Sequence, residues 1–457
     1  MSAAENRRDA SRPAAGRRIA VVGGGWAGCA AAVALLDAGC DVTLFEAART
    51  LGGRARAIET NGRLLDNGQH IMLGAYADTL RLMRRVGVDP DQAMLRLPLQ
   101  MRYPAADDGM DFVAPRLPAP LHMLVALLRA RGLDRHDKLA LARFTTSARW
   151  MGWQLYTDCS VAELLARFDQ TPRLERLMWR PLCLAALNTP PERASAQVFL
   201  AVLRDSLGAH RAASDMLIPR VLLDAVFPEA ARRHLDGRGA AVRTGARIDA
   251  LEPDGGAWRL RSGADHHAFD GVVLAAPPWQ AAALLRPLDG AAGVVAQLDA
   301  LAYEPIATVY LQYAPGVRLP LPFCALADAP LDERWGQFVF DRGQLDPGQD
   351  GLLAVVISGA DPAGAIGQAA LAAAVAAQLA ASFGQPALAA PLWSRTITEK
   401  RATFACSPAL ARPANATALP GLALAGDYTA SDYPATLEAA VRSGVAAAGV
   451  MMGTTPR

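Results

Sequence analysis

The sequence predicts an α/β protein in which a Rossmann-like dinucleotide-binding domain is interleaved with a second, α+β domain. Three observations predict it. A glycine-rich fingerprint near the N-terminus lies between a short apolar strand and a helix, and a strand followed by a helix closes the chain. Between them, long helical patterns give way to strands and return, which discontinuous domains produce.

Composition sets the bounds. With 457 residues, 52% of them hydrophobic, the chain has enough material for a large core and two domains. The 46 basic and 44 acidic residues nearly cancel, to a net charge of +2, so no global field draws the chain to nucleic acid. Six scattered cysteines show no CxxC and no zinc spacing, which points to reduced thiols in a cytoplasmic setting and to no metal. Residues 1–16 read as a disordered tail without the apolar stretch of a secretory signal, and no uninterrupted apolar run is long enough to span a bilayer.

In chain order, Arg17 to Val22 reads as a buried parallel strand, Trp26 to Ala38 as a helix and Asp41 to Glu46 as a second strand, completing a βαβ unit. Alternating residues from Ala55 to Asp66 around Asn61-Gly62 predict a hairpin with a type I′ turn. Helical patterns fill the span from Tyr76 to Phe227, and Ser160 with Glu163 predicts a reciprocal capping box. Strands return in AAVRTG, RIDALE, AWRLRS and GVVLAA between Ala240 and Ala276. ATVYLQY and LLAVVIS supply later strands, an Ala-rich helix lies near 362–382, and LALAG precedes a helix from about Ala435 to Met451. The resulting division assigns 17–75, 225–285 and 415–457 to the dinucleotide-binding domain. It assigns 76–224 and 286–414 to a substrate domain, helical in its first part and mixed in its second.

The chemistry-bearing motifs fit that frame. Gly23, Gly25 and Gly28 allow a tight turn, close approach of a pyrophosphate and close helix packing, with Trp26 and Ala27 opening a helix whose N-terminus faces the phosphates. Glu46, followed by Ala47, ends the next strand where a carboxylate can accept from ribose hydroxyls. Gly52, Gly53 and Arg54 add a second close-approach turn and a guanidinium suited to an anion, a combination that fits FAD better than NAD. Gly426, Asp427 and Thr436 form a third element before the last helix. Gly237-Arg238-Gly239 leads into a strand rather than a helix, so the chain shows no second fingerprint for a nicotinamide, and electrons for a reduction must come from an external donor.

These elements, in this order, resemble the flavin amine oxidase and phytoene desaturase superfamily. LDNGQHIMLGAY from Leu65, PLCLAALNTPPERASAQVF from Pro181 and EKRATFACSP from Glu399 resemble, within it, the hydroxysqualene dehydroxylase family of hopanoid synthesis. The resemblance implies reductive removal of the hydroxyl of hydroxysqualene to give squalene, with reduced FAD as hydride donor. It further implies that Gly68, Gln69 and His70 pass along the flavin and that Ile248 contacts the cofactor. His70 is then a candidate acid, and Lys400 and Arg401 candidates to steady a flavin anion or departing hydroxide. Asp66 is expected to shape the same loop. A carotenoid-type desaturase or amine oxidase is the alternative on this fold, and a flavin-free lipid escort protein the alternative outside enzymes.

An apolar isoprenoid substrate calls for an apolar tunnel and for contact with lipid. Trp150, Trp153, Tyr156 and Trp179 are candidate tunnel residues, with burial in the core the default reading of such side chains. The Pro-flanked stretch Leu117 to Leu133, with Arg129 and Arg131, reads either as a buried amphipathic helix or as a peripheral contact with the inner face of the membrane.

Overall fold

The structure, a computed structural model, describes residues 16–60, 62–107 and 109–454. The predicted N-terminal tail and the Asn61 turn position therefore lie outside the described residues, apart from Gly16 in the one and Gly62 in the other.

The fingerprint strand Arg18–Val22 sits at the centre of a five-stranded parallel sheet. Asp41–Glu46 and then Ala241–Thr244 pair outward on one side, Gly271–Leu274 and then Leu422–Leu424 on the other. The inner strands are nearly continuous apolar runs because helices cover them. Trp26–Asp37 packs against the last helix, Leu437–Met452, so closely that a Cβ on Gly444 would fall 2.1 Å from the Ala27 carbonyl oxygen. The sheet thus recruits strands from three distant stretches of chain.

The hairpin Ala57–Thr60 and Arg63–Asp66 pairs as the sequence predicts, with Thr60 opposite Arg63. The segment between Ala250 and Phe269 forms a separate three-stranded antiparallel sheet, its third strand, Asp265–Phe269, absent from the sequence reading. A second five-stranded sheet, antiparallel, runs in the order Phe323–Ala325, Phe338–Asp341, Leu352–Ser358, Tyr303–Gln312, Trp393–Phe404. The Ala-rich helix Gln368–Phe383 covers one face through Leu371, Val375 and Leu379.

The span expected to be helical faces the other side of that sheet, and it is not wholly helical: Met94–Leu97 pairs with Met216–Pro219, and Gln100–Arg102 with Asp111–Val113. Only half of the predicted capping box forms at its Val161–Arg167 helix. Ser160 Oγ accepts from the Glu163 N–H at 3.1 Å, but the Glu163 side chain turns outward toward Arg167. The reciprocal box instead opens the helix Arg135–Trp150, between Asp134 and Asp137. Two segments widen into π-type turns, Glu175–Trp179 and Arg204–Gly208, each in line with an α-helix.

Candidate active site

Two glycine turns lie back to back at the carboxyl end of the parallel sheet. Gly52 N–H donates to the Gly24 carbonyl at 2.9 Å, and Gly25 and Gly52 form an isolated parallel bridge. Gly28 has no room for any side chain, since its Cβ would lie 1.8 Å from the Gly23 carbonyl oxygen. A Cβ on Gly25, by contrast, would meet nothing nearer than the Gly53 Cα at 3.9 Å. The first constraint packs helix on strand, whereas the second leaves open space in front of the helix N-terminus, where a pyrophosphate is stabilised.

Glu46 is fixed at the strand end by N–H donors from Gly24 at 2.6 Å and Ala48 at 2.7 Å, one to each carboxylate oxygen. Each oxygen keeps a lone pair for a ribose hydroxyl. Ala47 is exposed beside it, and Ile248 is buried in the loop after Ala241–Thr244, where the Ala246 N–H returns to the Glu46 carbonyl at 2.9 Å. Trp26 turns its ring inward, against Phe227 at 5.2 Å, so only its backbone faces the phosphate position.

Arg54 joins the N-terminal turn to the C-terminal element. Its Nη2 donates to both Asp427 oxygens at 2.7 Å and its Nη1 to the Ala402 carbonyl at 2.6 Å. Burial opposes the charge, but Asp427 outweighs it and raises the guanidinium pKa above its ordinary value. Gly426 N–H donates to Ser443 Oγ at 2.9 Å, and Thr436 caps the last helix by accepting from the Ala439 N–H at 3.1 Å. Open space before Gly25, the Glu46 carboxylate, Arg54 and this helix N-terminus fit FAD.

The loop Asp66–Ile71 leaves the hairpin toward the antiparallel sheet on a scaffold that sequence reasoning missed. Gln69 Nε2 donates to Tyr310 Oη at 2.8 Å, Tyr310 donates to the Asp66 carbonyl at 2.8 Å, and buried Arg342 donates to Gln69 Oε1 at 3.2 Å. Burial pushes the Asp66 carboxyl up to about 6, although the Leu223 N–H donates to it at 2.8 Å. His70 Nδ1 lies 3.0 Å from the Gly68 carbonyl. A carbonyl only accepts, so Nδ1 carries the hydrogen and the neutral ring leaves Nε2 as an acceptor. Burial, with a smaller contribution from Arg54, lowers its pKa below 6.5.

A cavity of about 490 Å³ opens from this loop. The helices Leu121–Arg129 and Arg135–Trp150 wall one side, and Phe323, Phe338 and Phe340 of the antiparallel sheet wall the other. Both π-type turns deliver side chains to it, Met178 and Trp179 from one and Asp205, Ser206 and Leu207 from the other. At the end shared with the cofactor elements, Gln69, Tyr76, Tyr433 and Thr436 line it. Tyr433 Oη donates to Asp205 Oδ2 at 2.6 Å. Burial opposes the Asp205 charge, but Arg204 and Tyr433 outweigh it and hold the carboxyl below the usual carboxylate range.

Of the predicted tunnel aromatics, Trp153 and Trp179 line the cavity, while Trp150 and Tyr156 are exposed. Neither His70 nor Lys400 nor Arg401 is among the lining residues; Lys400 and Arg401 are exposed on the strand Trp393–Phe404, and Arg401 lies over the rings of Trp279 and Tyr303. No local signal marks Asp205 or Tyr433, which lie outside the motifs.

A profile of flavin-containing amine oxidoreductases matches residues 26–452. The chain belongs to this family. It is an FAD-dependent oxidoreductase. Like other flavin-containing amine oxidoreductases, it shares its architecture with cyclohexylamine oxidase from Brevibacterium oxydans, at a TM-score of 0.68 and 19% identity over 96% of this chain and 99% of that one. Hydroxysqualene dehydroxylase of Rhodopseudomonas palustris is 31% identical over 456 residues, 95% of this chain and 98% of that protein. The zeta-carotene desaturase of Zea mays matches at 33% identity, over 26% of this chain and 21% of its own.

Proposed function

We propose that this enzyme removes the hydroxyl group of hydroxysqualene reductively, giving squalene. The observation that carries the reading is the large, mostly apolar cavity with polar groups beside the cofactor elements, in a chain similar from end to end to hydroxysqualene dehydroxylase. A long hydrocarbon suits such a space, and Gln69, Tyr433 and Thr436 offer its one polar group partners beside the cofactor elements. The desaturase likeness spans about a quarter of the chain and so supports only the shared nucleotide fold.

Reduced FAD, once bound, supplies the hydride, and an external donor restores it. The chain's own part is to place the carbon bearing the hydroxyl and exclude water. It must also deliver the proton that lets oxygen leave as water, so that alcohol, hydride and proton become hydrocarbon and water. His70 can act as donor only as an imidazolium, because its neutral ring donates to Gly68 and offers Nε2 as an acceptor.

The substrate reaches the cavity from a bilayer surface. Leu121, Leu124 and Leu128 are 50%, 52% and 66% exposed on the helix whose Met123, Leu124 and Leu127 line the cavity. Arg116, Arg129, Arg131, Arg135 and Arg143 are exposed in the same stretch of chain, and no carboxylate pairs with these among the described residues. Apolar residues accompanied by unpaired cations suit the anionic inner leaflet. Among the described residues no helix is long and apolar enough to cross a membrane.

Anaerobic incubation of the purified holoenzyme with chemically reduced FAD and hydroxysqualene, analysed by mass spectrometry, tests the reading. Squalene formed only with enzyme and reduced flavin supports it, and unchanged hydroxysqualene with flavin bound overturns it.

A further inference from the structure

Among the described residues the cavity has a single carboxylate in its lining, Asp205, and that group is bound to a phenol that lines the cavity too. Asp205, in a helical turn, and Tyr433, in the loop before the last helix, lie 228 residues apart in sequence and meet at 2.6 Å. Arg204 Nε holds the other carboxylate oxygen at 2.7 Å, and the Arg442 guanidinium lies 4.7 Å from the centre of the Tyr433 ring. A cavity meant only for hydrocarbon has no use for such a group, because desolvating it costs free energy that apolar packing does not return.

The backbone is shaped to present it. Asp205 sits in the π-type turn Arg204–Gly208, where the extra residue in the turn directs Asp205, Ser206 and Leu207 to the cavity together. Tyr433 stands three residues before Thr436, the cap of the helix that closes the cofactor cradle. The pair therefore stands at the cofactor end of the cavity.

We propose that the Asp205–Tyr433 pair is the hydroxyl-recognising end of the cavity, selecting an apolar alcohol over a hydrocarbon of the same skeleton. Arg204 and Tyr433 each use one lone pair of the carboxylate, and both Asp205 and Tyr433 Oη retain lone pairs for a substrate O–H. An alcohol fills one of these. A hydrocarbon leaves it empty. The pair thus distinguishes substrate from product and favours release of the product. The identity of the alcohol, though not the existence of the site, rests on the dehydroxylase reading.

The test uses FAD-loaded enzyme with the flavin oxidised, so that nothing turns over. Hydroxysqualene and squalene in detergent micelles are titrated separately, following the fluorescence of the cavity tryptophans Trp153 and Trp179. Wild type is expected to bind the alcohol about tenfold more tightly, the worth of one hydrogen bond to a charged group. Tyr433→Phe, which keeps the ring under Arg442, and Asp205→Asn are each expected to weaken alcohol binding by about that factor while leaving squalene binding unchanged. Equal affinity for the two ligands in wild type overturns the proposal, as do variants that weaken both ligands alike. Wild type that prefers the alcohol but makes no squalene from it with reduced flavin leaves the site standing and removes the dehydroxylase reading. Turnover with an unchanged preference in both variants does the reverse.

Discussion

Arg54 and Asp427 are 373 residues apart in sequence, yet one guanidinium nitrogen lies 2.7 Å from both carboxylate oxygens. This pair ties the second glycine turn to the last strand and helix, so the cofactor cradle closes only when the ends of the chain have met. Removing one partner leaves the other desolvated, which costs more than the lost bond. Arg54→Ala is expected to weaken FAD binding at least tenfold, on the order of 1.5–3 kcal/mol, and to lower the melting temperature. Arg54→Lys keeps the charge but loses the planar fork and falls between. The flavin-to-protein absorbance ratio after gel filtration reads both, and full retention of FAD by Arg54→Ala contradicts this role.

Two glycines of one motif should fail differently. A Cβ on Gly28 collides with backbone at 1.8 Å, so Gly28→Ala is expected to give little folded protein. Gly25→Ala has room in the polypeptide and is expected to fold, with an ordinary circular dichroism spectrum, while losing FAD to the steric demand of the pyrophosphate. A Gly25→Ala protein that binds FAD normally would place the phosphates elsewhere.

The pH profile separates the roles open to His70. Its pKa is lowered, by burial first, so the imidazolium is scarce at neutral pH and its share grows as pH falls. A rate that depends on His70 as donor must rise with falling pH until the ring is fully protonated. His70→Ala is expected to abolish that rise and lower single-turnover rates by roughly 10²-fold or more. An unchanged profile in the variant assigns the ring to holding Gly68 in place.

Binding of the exposed leucine face to lipid is read by sedimentation with vesicles. Vesicles containing an anionic phosphatidylglycerol are expected to retain the enzyme, neutral ones to retain it poorly, and added salt to release it. Arg129→Ala combined with Arg135→Ala should weaken retention about thirtyfold, at ~1 kcal/mol for each charge. Leu121→Asp with Leu128→Asp should weaken it on either vesicle, and both residues lie outside the cavity lining. Binding indifferent to all four changes would dismiss this face.

The legible parts of this protein are those whose causes are local. A glycine that cannot carry a side chain, an apolar run before it and a carboxylate at the end of the next strand all act within a few dozen residues, and the structure places Gly23, Gly25, Gly28 and Glu46 at the carboxyl end of the parallel sheet. The capping box at Ser160 was legible only in part, because a solvent-facing Glu163 has Arg167 one turn away as a competing partner.

The sequence by itself determined the nucleotide fold and its cofactor class, since steric limits on backbone and alternation of side chains are properties of short segments. Only the tertiary structure decided which side chains meet in the cavity. Trp153 faces in while its neighbour Trp150 is 92% exposed, and Asp205 reaches Tyr433 through a turn widened by one residue. Such choices depend on side-chain direction and on contacts made across hundreds of residues, and no spacing along the chain encodes either.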